Sequence, residues 1–174
     1  MESNSQSNGQ SLEAAHLRPI FGGTQCMHIS PIGLGTVKFG RNTDVKYPQP
    51  FEIPDDKSLG ELISFVRDLG INLLDTAPAY GTAEERLGHI LEGQRADWIL
   101  VSKAGEFYSE EGSSFDFRPA AVRRSVEQSL RRLRTDWLDI LLLHSDGRDQ
   151  DLMADENLLR VLEDLKQEGK IRAC

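Results

Sequence analysis

The apolar positions change period along this chain. Residues 1–15 are polar and low in aromatics, and are expected to form a disordered tail, with one folded unit over residues 16–174. Leu17–Ile20 and Cys26–Ile29 are short strand-like runs around Phe21-Gly22-Gly23-Thr24, which predicts a hairpin. Pro31 to Thr36 reads as a short strand ending in a Gly-rich loop. Residues 39–56 hold three prolines and no helical period, and read as a long loop of the kind that often carries function.

A repeating rhythm follows. Leu59, Leu62, Ile63, Val66 and Leu69 mark an amphipathic helix that stops at Gly70. Ile71 to Asp75 is a mostly apolar run, as expected of a strand buried on both faces. Thr82 and Glu85 have the spacing of a capping box and predict a second helix. Trp98 to Val101 is the next strand. Pro119 opens a third helix, with Val122, Val126, Leu130 and Leu133 on its inner face. Leu138 to Leu143 is another strand. Leu158, Leu162 and Leu165 line a fourth helix, and Ile171 to Cys174 reads as a further strand. Strands that alternate with helices indicate βαβ units and a parallel sheet, here four full units and the start of a fifth.

Composition narrows the function classes. The 174 residues include 20 Lys plus Arg and 28 Asp plus Glu, a formal charge of −8, which argues against a nucleic-acid partner. No apolar run approaches the ~20 residues of a membrane span, and the N-terminus lacks the basic and apolar regions of a signal peptide. Cys26 and Cys174 form no CxxC, and a cytoplasmic location is expected. His16, His28, His89 and His144 have no metal-ligand spacing, so no metal site is expected.

Three strands end in a titratable side chain: Asp75, Lys103 just after Ser102, and His144. Tyr80 lies in the loop after Asp75. In parallel α/β architectures the C-terminal strand ends share one face, where sites are built. These residues should therefore converge, with Asp75 and Lys103 in direct contact. Alone, each has a structural reading: a polar strand end satisfies loop backbone, and a tyrosine packs with its hydroxyl in water. Together they make chemical sense. A phenol ordinarily ionises only near pH ~10, and a nearby ammonium favours the phenolate. Asp75 can balance the Lys103 charge, and His144 can hold a substrate oxygen.

The motifs Gly33-Leu34-Gly35-Thr36, Leu74-Asp75-Thr76-Ala77-Pro78-Ala79-Tyr80-Gly81, Val101-Ser102-Lys103 and Leu143-His144 resemble the aldo-keto reductases in order, spacing and strand position. Glu85 and Leu87-Gly88 extend the strongest of these motifs. The resemblance runs from about Leu17 to Ile171. It implies an α/β fold of the (β/α)8 TIM-barrel family with an N-terminal hairpin closing its bottom. It implies that Tyr80 is the general acid, that Lys103 eases its ionisation, that Asp75 partners Lys103, and that His144 orients the substrate. It also implies NADPH as cofactor, with NADH as the alternative, and Gly35, Thr36 and Asp75 near the nicotinamide ribose. The expected reaction is reduction of an aldehyde or ketone to an alcohol.

A (β/α)8 barrel typically takes ~250 residues, so this chain is expected to cover about four βα units plus the hairpin, the barrel being truncated. Two alternatives stand beside the reductase reading: an inactive fragment, and a non-enzymatic binding subunit on the same fold. Self-association through an unpaired strand edge is expected. Arg123, Arg124, Arg131, Arg132 and Arg134 read as a solvated helix face, and Trp98 and Trp137 as core or rim packing. Lys38, Phe39, Phe107 and Tyr108 are candidates for a pocket lining.

Overall fold

The computed structural model describes residues 17–22 and 25–174, so the expected tail over residues 1–15 lies outside the described residues. Strands β1 (Arg18–Gly22) and β2 (Gln25–Ile29) pair antiparallel, in the predicted hairpin. Strand β3 (Gly33–Gly35) follows, then a single 3-10 turn over Val37–Phe39 and the loop of residues 40–55. Helix α1 (Asp56–Asp68) starts where the Asp55 carboxylate accepts from the Ser58 N–H at 2.7 Å, relieving one of the free donors at the helix start.

Strand β4 (Leu73–Asp75) leads through the Tyr80 loop to helix α2 (Ala83–Ile90). Strand β5 (Ile99–Ala104) runs into a hairpin of β6 (Glu106–Ser109) and β7 (Gly112–Phe115). Helix α3 (Pro119–Leu133) carries Pro119 in its first turn, as its missing N–H permits. Strand β8 (Leu138–Leu143), helices α4 (Asp149–Ala154) and α5 (Glu156–Gln167), and strand β9 (Ile171–Ala173) complete the described chain.

The central sheet is five-stranded and parallel, in the order β3-β4-β5-β8-β9. Spatial order follows chain order. Right-handed crossovers then place every connecting helix on the same face. The core lies between helices and sheet: Leu59 and Ile63 of α1, Leu87 of α2, Val122 and Val126 of α3, and Leu158 and Leu165 of α5 close over Leu74, Leu100, Leu141 and Ile171. Each fully buried leucine contributes about 1.5–3 kcal/mol. The alternation on the strands separates the two faces. Leu74, Ser102 and Ala104 are buried, whereas Asp75 and Lys103 are only partly so and stand off the opposite face.

Two local expectations are corrected. The capping box of Thr82 and Glu85 does not form. Thr82 sits at φ −87°, ψ 7°, near helical rather than extended, so its hydroxyl makes no cap bond. Its N–H donates instead to the Gly40 carbonyl at 3.4 Å. Phe39, a candidate for a pocket lining, is a core residue with 3% exposure. The β6–β7 hairpin and α4 had no counterpart in the apolar periodicity.

Several polar clusters are structural. Buried Asp139, near the N-terminal end of β8, accepts from the Leu100 N–H at 2.9 Å, from Arg95 at 2.7 Å and from Arg172 at 2.7 Å. The two guanidiniums flank the Trp137 ring, at 4.7 and 4.8 Å from its centroid. Trp98 is core, at 1% exposure. Buried Glu84 accepts from Ser102 at 2.6 Å and from Arg132 at 2.7 Å, tying α2 to β5 and α3. On the basic face of α3, Arg123 bonds Glu168 of the α5 terminus at 2.7 Å. Among the described residues, no helix is long and apolar enough to cross a membrane, and no group of three or more His, Cys, Asp or Glu side chains could hold a metal ion.

Candidate active site

The parallel register brings Gly35, Asp75 and Val101 abreast, with Lys103 two residues further along β5. Lys103 Nζ donates to Asp75 Oδ1 at 2.6 Å and to the Thr76 carbonyl at 3.0 Å. The expected contact is therefore present. The same ammonium lies 5.0 Å from the centroid of the Tyr80 ring. His144 follows β8 directly, its N–H donating to the Ala104 carbonyl at 2.8 Å. Its ring stands edge-on to Tyr80, with centroids 6.1 Å apart and planes at 86°. Three strand ends and one loop thus bring the four sequence-nominated side chains to one place.

Backbone contact fixes the Tyr80 loop. Gly81 has φ +62°, and a Cβ there would stand 2.1 Å from the Gly40 carbonyl oxygen. A Cβ on Gly40 would stand 2.2 Å from the Ala83 nitrogen and 2.5 Å from the Tyr80 oxygen. The two glycines let the turn after β3 press against the loop that carries Tyr80. Arg41, almost buried, adds three bonds, to the Ala79 carbonyl at 3.0 Å, the Thr43 carbonyl at 2.9 Å and the Asp44 carbonyl at 3.0 Å. Its guanidinium also stacks 3.5 Å over the Tyr108 ring centroid. The loop after β3, the Tyr80 loop and the β6–β7 hairpin are joined through this one side chain.

The hairpin supplies a residue that periodicity did not single out. Glu106 is 9% exposed. Its Oε1 accepts from Ser113 at 2.6 Å and lies 4.0 Å from Arg41. Its Oε2 lies 2.7 Å from His144 Nδ1. That nitrogen is buried and makes no hydrogen bond, so Glu106 faces it as a close negative charge. Burial pushes the His144 imidazole below its ordinary value of 6.5, the Glu106 carboxylate opposes that, and Lys103 adds to it. The signal for Glu106 was available: Glu110-Glu111-Gly112 between Phe107-Tyr108 and Phe115 has the composition of a hairpin turn.

The candidate cofactor positions divide. Gly35 is exposed, and a Cβ there would meet nothing within 4 Å. Asp75 keeps 37% of its side chain exposed beside it. Thr36 is fully buried, and its hydroxyl is already spent on the Asp75 carbonyl at 2.9 Å. It locks β3 to β4. Lys38 is drawn over the Tyr47 and Phe51 rings, at 4.4 and 4.7 Å. Phe107 and Tyr108 are half-buried on β6.

Residues 31–174 match the model of the aldo/keto reductase family. The chain belongs to that family. It is 34% identical over 154 residues to the uncharacterised oxidoreductase YqkF of Bacillus subtilis, covering 86% of this chain and 45% of that protein. It is 31% identical over 168 residues to the NADH-specific methylglyoxal reductase of Escherichia coli, covering 87% and 49%. The aldo-keto reductase of Bacillus halodurans, solved in its holo form, superposes with TM-score 0.72 at 34% identity, covering 90% of this chain and 49% of the other. An aldo/keto reductase of Klebsiella pneumoniae, solved with NADP and acetate, gives TM-score 0.59 at 30% identity, covering 83% and 44%. The chain spans about half the length of the curated relatives it matches. The five parallel strands and their helices are those of an aldo/keto reductase of the TIM-barrel class.

Proposed function

We propose that this site reduces an aldehyde or ketone to an alcohol with NAD(P)H, and that Tyr80 is its proton donor. The observation that carries the reading is the Lys103 ammonium, paired with Asp75 at 2.6 Å and 5.0 Å from the Tyr80 ring. When bound, the nicotinamide supplies a hydride to the carbonyl carbon. Tyr80 gives its phenolic proton to the carbonyl oxygen, so the substrate gains one hydride and one proton. Lys103 stabilises the negative charge left on the phenolic oxygen. Asp75 acts through Lys103: it holds the ammonium in place and balances its charge. His144 meets the substrate oxygen and aligns it with Tyr80.

The residues at the strand ends fit a nicotinamide ribose. Gly35 leaves open backbone against which a flat ring can lie, and the partly exposed Asp75 carboxylate can accept from a sugar hydroxyl. Thr36 would support the site by locking β3 to β4, its hydroxyl and its N–H both donating to the Asp75 carbonyl. The relatives point to both forms of the cofactor, one being NADH-specific by name and another solved with NADP. The test is absorbance at 340 nm with the purified chain, methylglyoxal, and NADPH or NADH in turn. Aldehyde-dependent loss of absorbance is expected. Cofactor binding with no turnover of methylglyoxal or of a panel of aldehydes and ketones would replace this reading with that of a binding subunit.

A further inference from the structure

Glu106 reaches the site from a hairpin that the four sequence-nominated residues do not include. Its carboxylate is held on one side and directed on the other. Ser113 donates to Oε1 at 2.6 Å and Arg41 stands 4.0 Å from that same oxygen, while Oε2 faces His144 Nδ1 at 2.7 Å. Gly105, at φ +110°, makes the bend: a Cβ there would lie 2.1 Å from the Phe117 ring. The bend turns the chain out of β5 just after Lys103 and brings Glu106 back over the site.

We propose that Glu106 is a positioning residue for His144: its carboxylate, facing Nδ1 at 2.7 Å, favours the protonated ring, whose Nε2–H is then presented to the substrate carbonyl oxygen. The reasoning is that an opposite charge at contact distance favours the charged form of its neighbour. With the proton on Nδ1, a neutral ring offers Nε2 as an acceptor, suited to an alcohol hydroxyl. A protonated ring offers Nε2–H as a donor, suited to a carbonyl oxygen. Glu106 stabilises the protonated ring, and so sets the pH at which His144 changes from acceptor to donor. The charged groups facing the ring are Glu106 on β6, Lys103 on β5, Asp75 on β4 and Arg41 in the loop after β3, with the Tyr80 ring edge-on to it. Glu106 is the one in direct contact with a ring nitrogen. Burial and Lys103 act against protonation, and Glu106 offsets them.

The inference rests on the reading that His144 meets the substrate oxygen, and its test separates the two. The His144 ring is titrated by NMR in the parent chain, in Glu106→Gln and in Ser113→Ala. Removing an opposite charge at contact distance should lower the midpoint by about 1 pH unit or more. Glu106→Gln is expected to show this. Ser113→Ala, which only frees Oε1, should move the midpoint the same way by less and guards against misfolding of the first variant. A His144 midpoint unchanged in both variants would overturn the proposal. The titration needs no turnover, so it stands whether or not the chain reduces carbonyls. If it does, the pH at which kcat for carbonyl reduction falls as the ring loses its proton should move with the NMR midpoint in Glu106→Gln, and a fall that stays put while the midpoint moves would overturn the coupling to catalysis.

Discussion

Asp75 and Lys103 form one ion pair, yet the two ends should respond differently to its loss. The Lys103 side chain is 12% exposed and that of Asp75 37%. Breaking a buried pair costs about 3–5 kcal/mol when a charge is stranded, whereas an exposed pair is worth about 0–1 kcal/mol. Asp75→Asn strands the ammonium, but keeps a neutral acceptor and the Thr76 carbonyl. A cost of about 1–2 kcal/mol follows, between the two limits. Lys103→Met removes the poorly hydrated charge and leaves a carboxylate that solvent can reach. It should cost less than about 1 kcal/mol. With a urea slope of about 2 kcal/mol per molar, Asp75→Asn should lower the urea midpoint by about 0.5–1 M, and Lys103→Met by less than half of that. On the proposed roles kcat should rank the other way, because Lys103 faces Tyr80 and Asp75 reaches the phenol through Lys103. Urea melts followed by circular dichroism, paired with initial rates, read both rankings. A Lys103→Met variant less stable than Asp75→Asn would refute the account of which charge the fold shelters.

Glycine substitutions should split by environment. Gly81→Ala forces φ +62° on a residue with a Cβ and drives that Cβ to 2.1 Å from the Gly40 oxygen, so a loss of about 2 kcal/mol or more is expected by thermal melting. Gly60→Ala, inside α1 with nothing within 4 Å of the added Cβ, should instead gain about 0.5–1 kcal/mol. Because burial holds the His144 imidazole below its ordinary 6.5, the unfolded chain binds this proton more readily than the folded one. Stability should then fall as pH drops through that ordinary value. His144→Gln should reduce the loss of urea midpoint between pH 7.5 and 5.5 relative to the parent.

The strand order and most helices were legible because their apolar periods match their burial. Leu59, Ile63 and Val66 repeat at helical spacing and are buried on α1, while Leu74 and Leu100 sit in mostly apolar runs and are buried in the sheet. Asp75, Lys103 and His144 were legible for the complementary reason, as titratable side chains that end such runs. Apolar periodicity did not reveal Glu106 or Arg41. Both lie in segments with no apolar period, and each is buried because it meets opposite charge, polar groups or an aromatic face: Glu106 against Ser113, Arg41 and His144, and Arg41 against three carbonyls and Tyr108. Periodicity detects burial that apolar contact drives, and passes over burial that ion pairs and hydrogen bonds stabilise. Thr82 failed as a cap because its backbone is committed to Gly40, a contact made 42 residues back along the chain that local spacing does not encode.

The claim that Tyr80 donates the proton is tested most directly by removing one oxygen atom. Tyr80→Phe keeps the ring that packs against the core and beside Lys103. General acid catalysis contributes about 10²–10⁴-fold, or about 2.7–5.4 kcal/mol at 1.36 kcal/mol per tenfold. Carbonyl-dependent oxidation of NADPH or NADH should fall by about 100-fold or more, while cofactor affinity by fluorescence titration stays within a factor of about two, since no proposed cofactor contact is lost. Turnover within a factor of about three of the parent, far short of that range, would contradict the assignment.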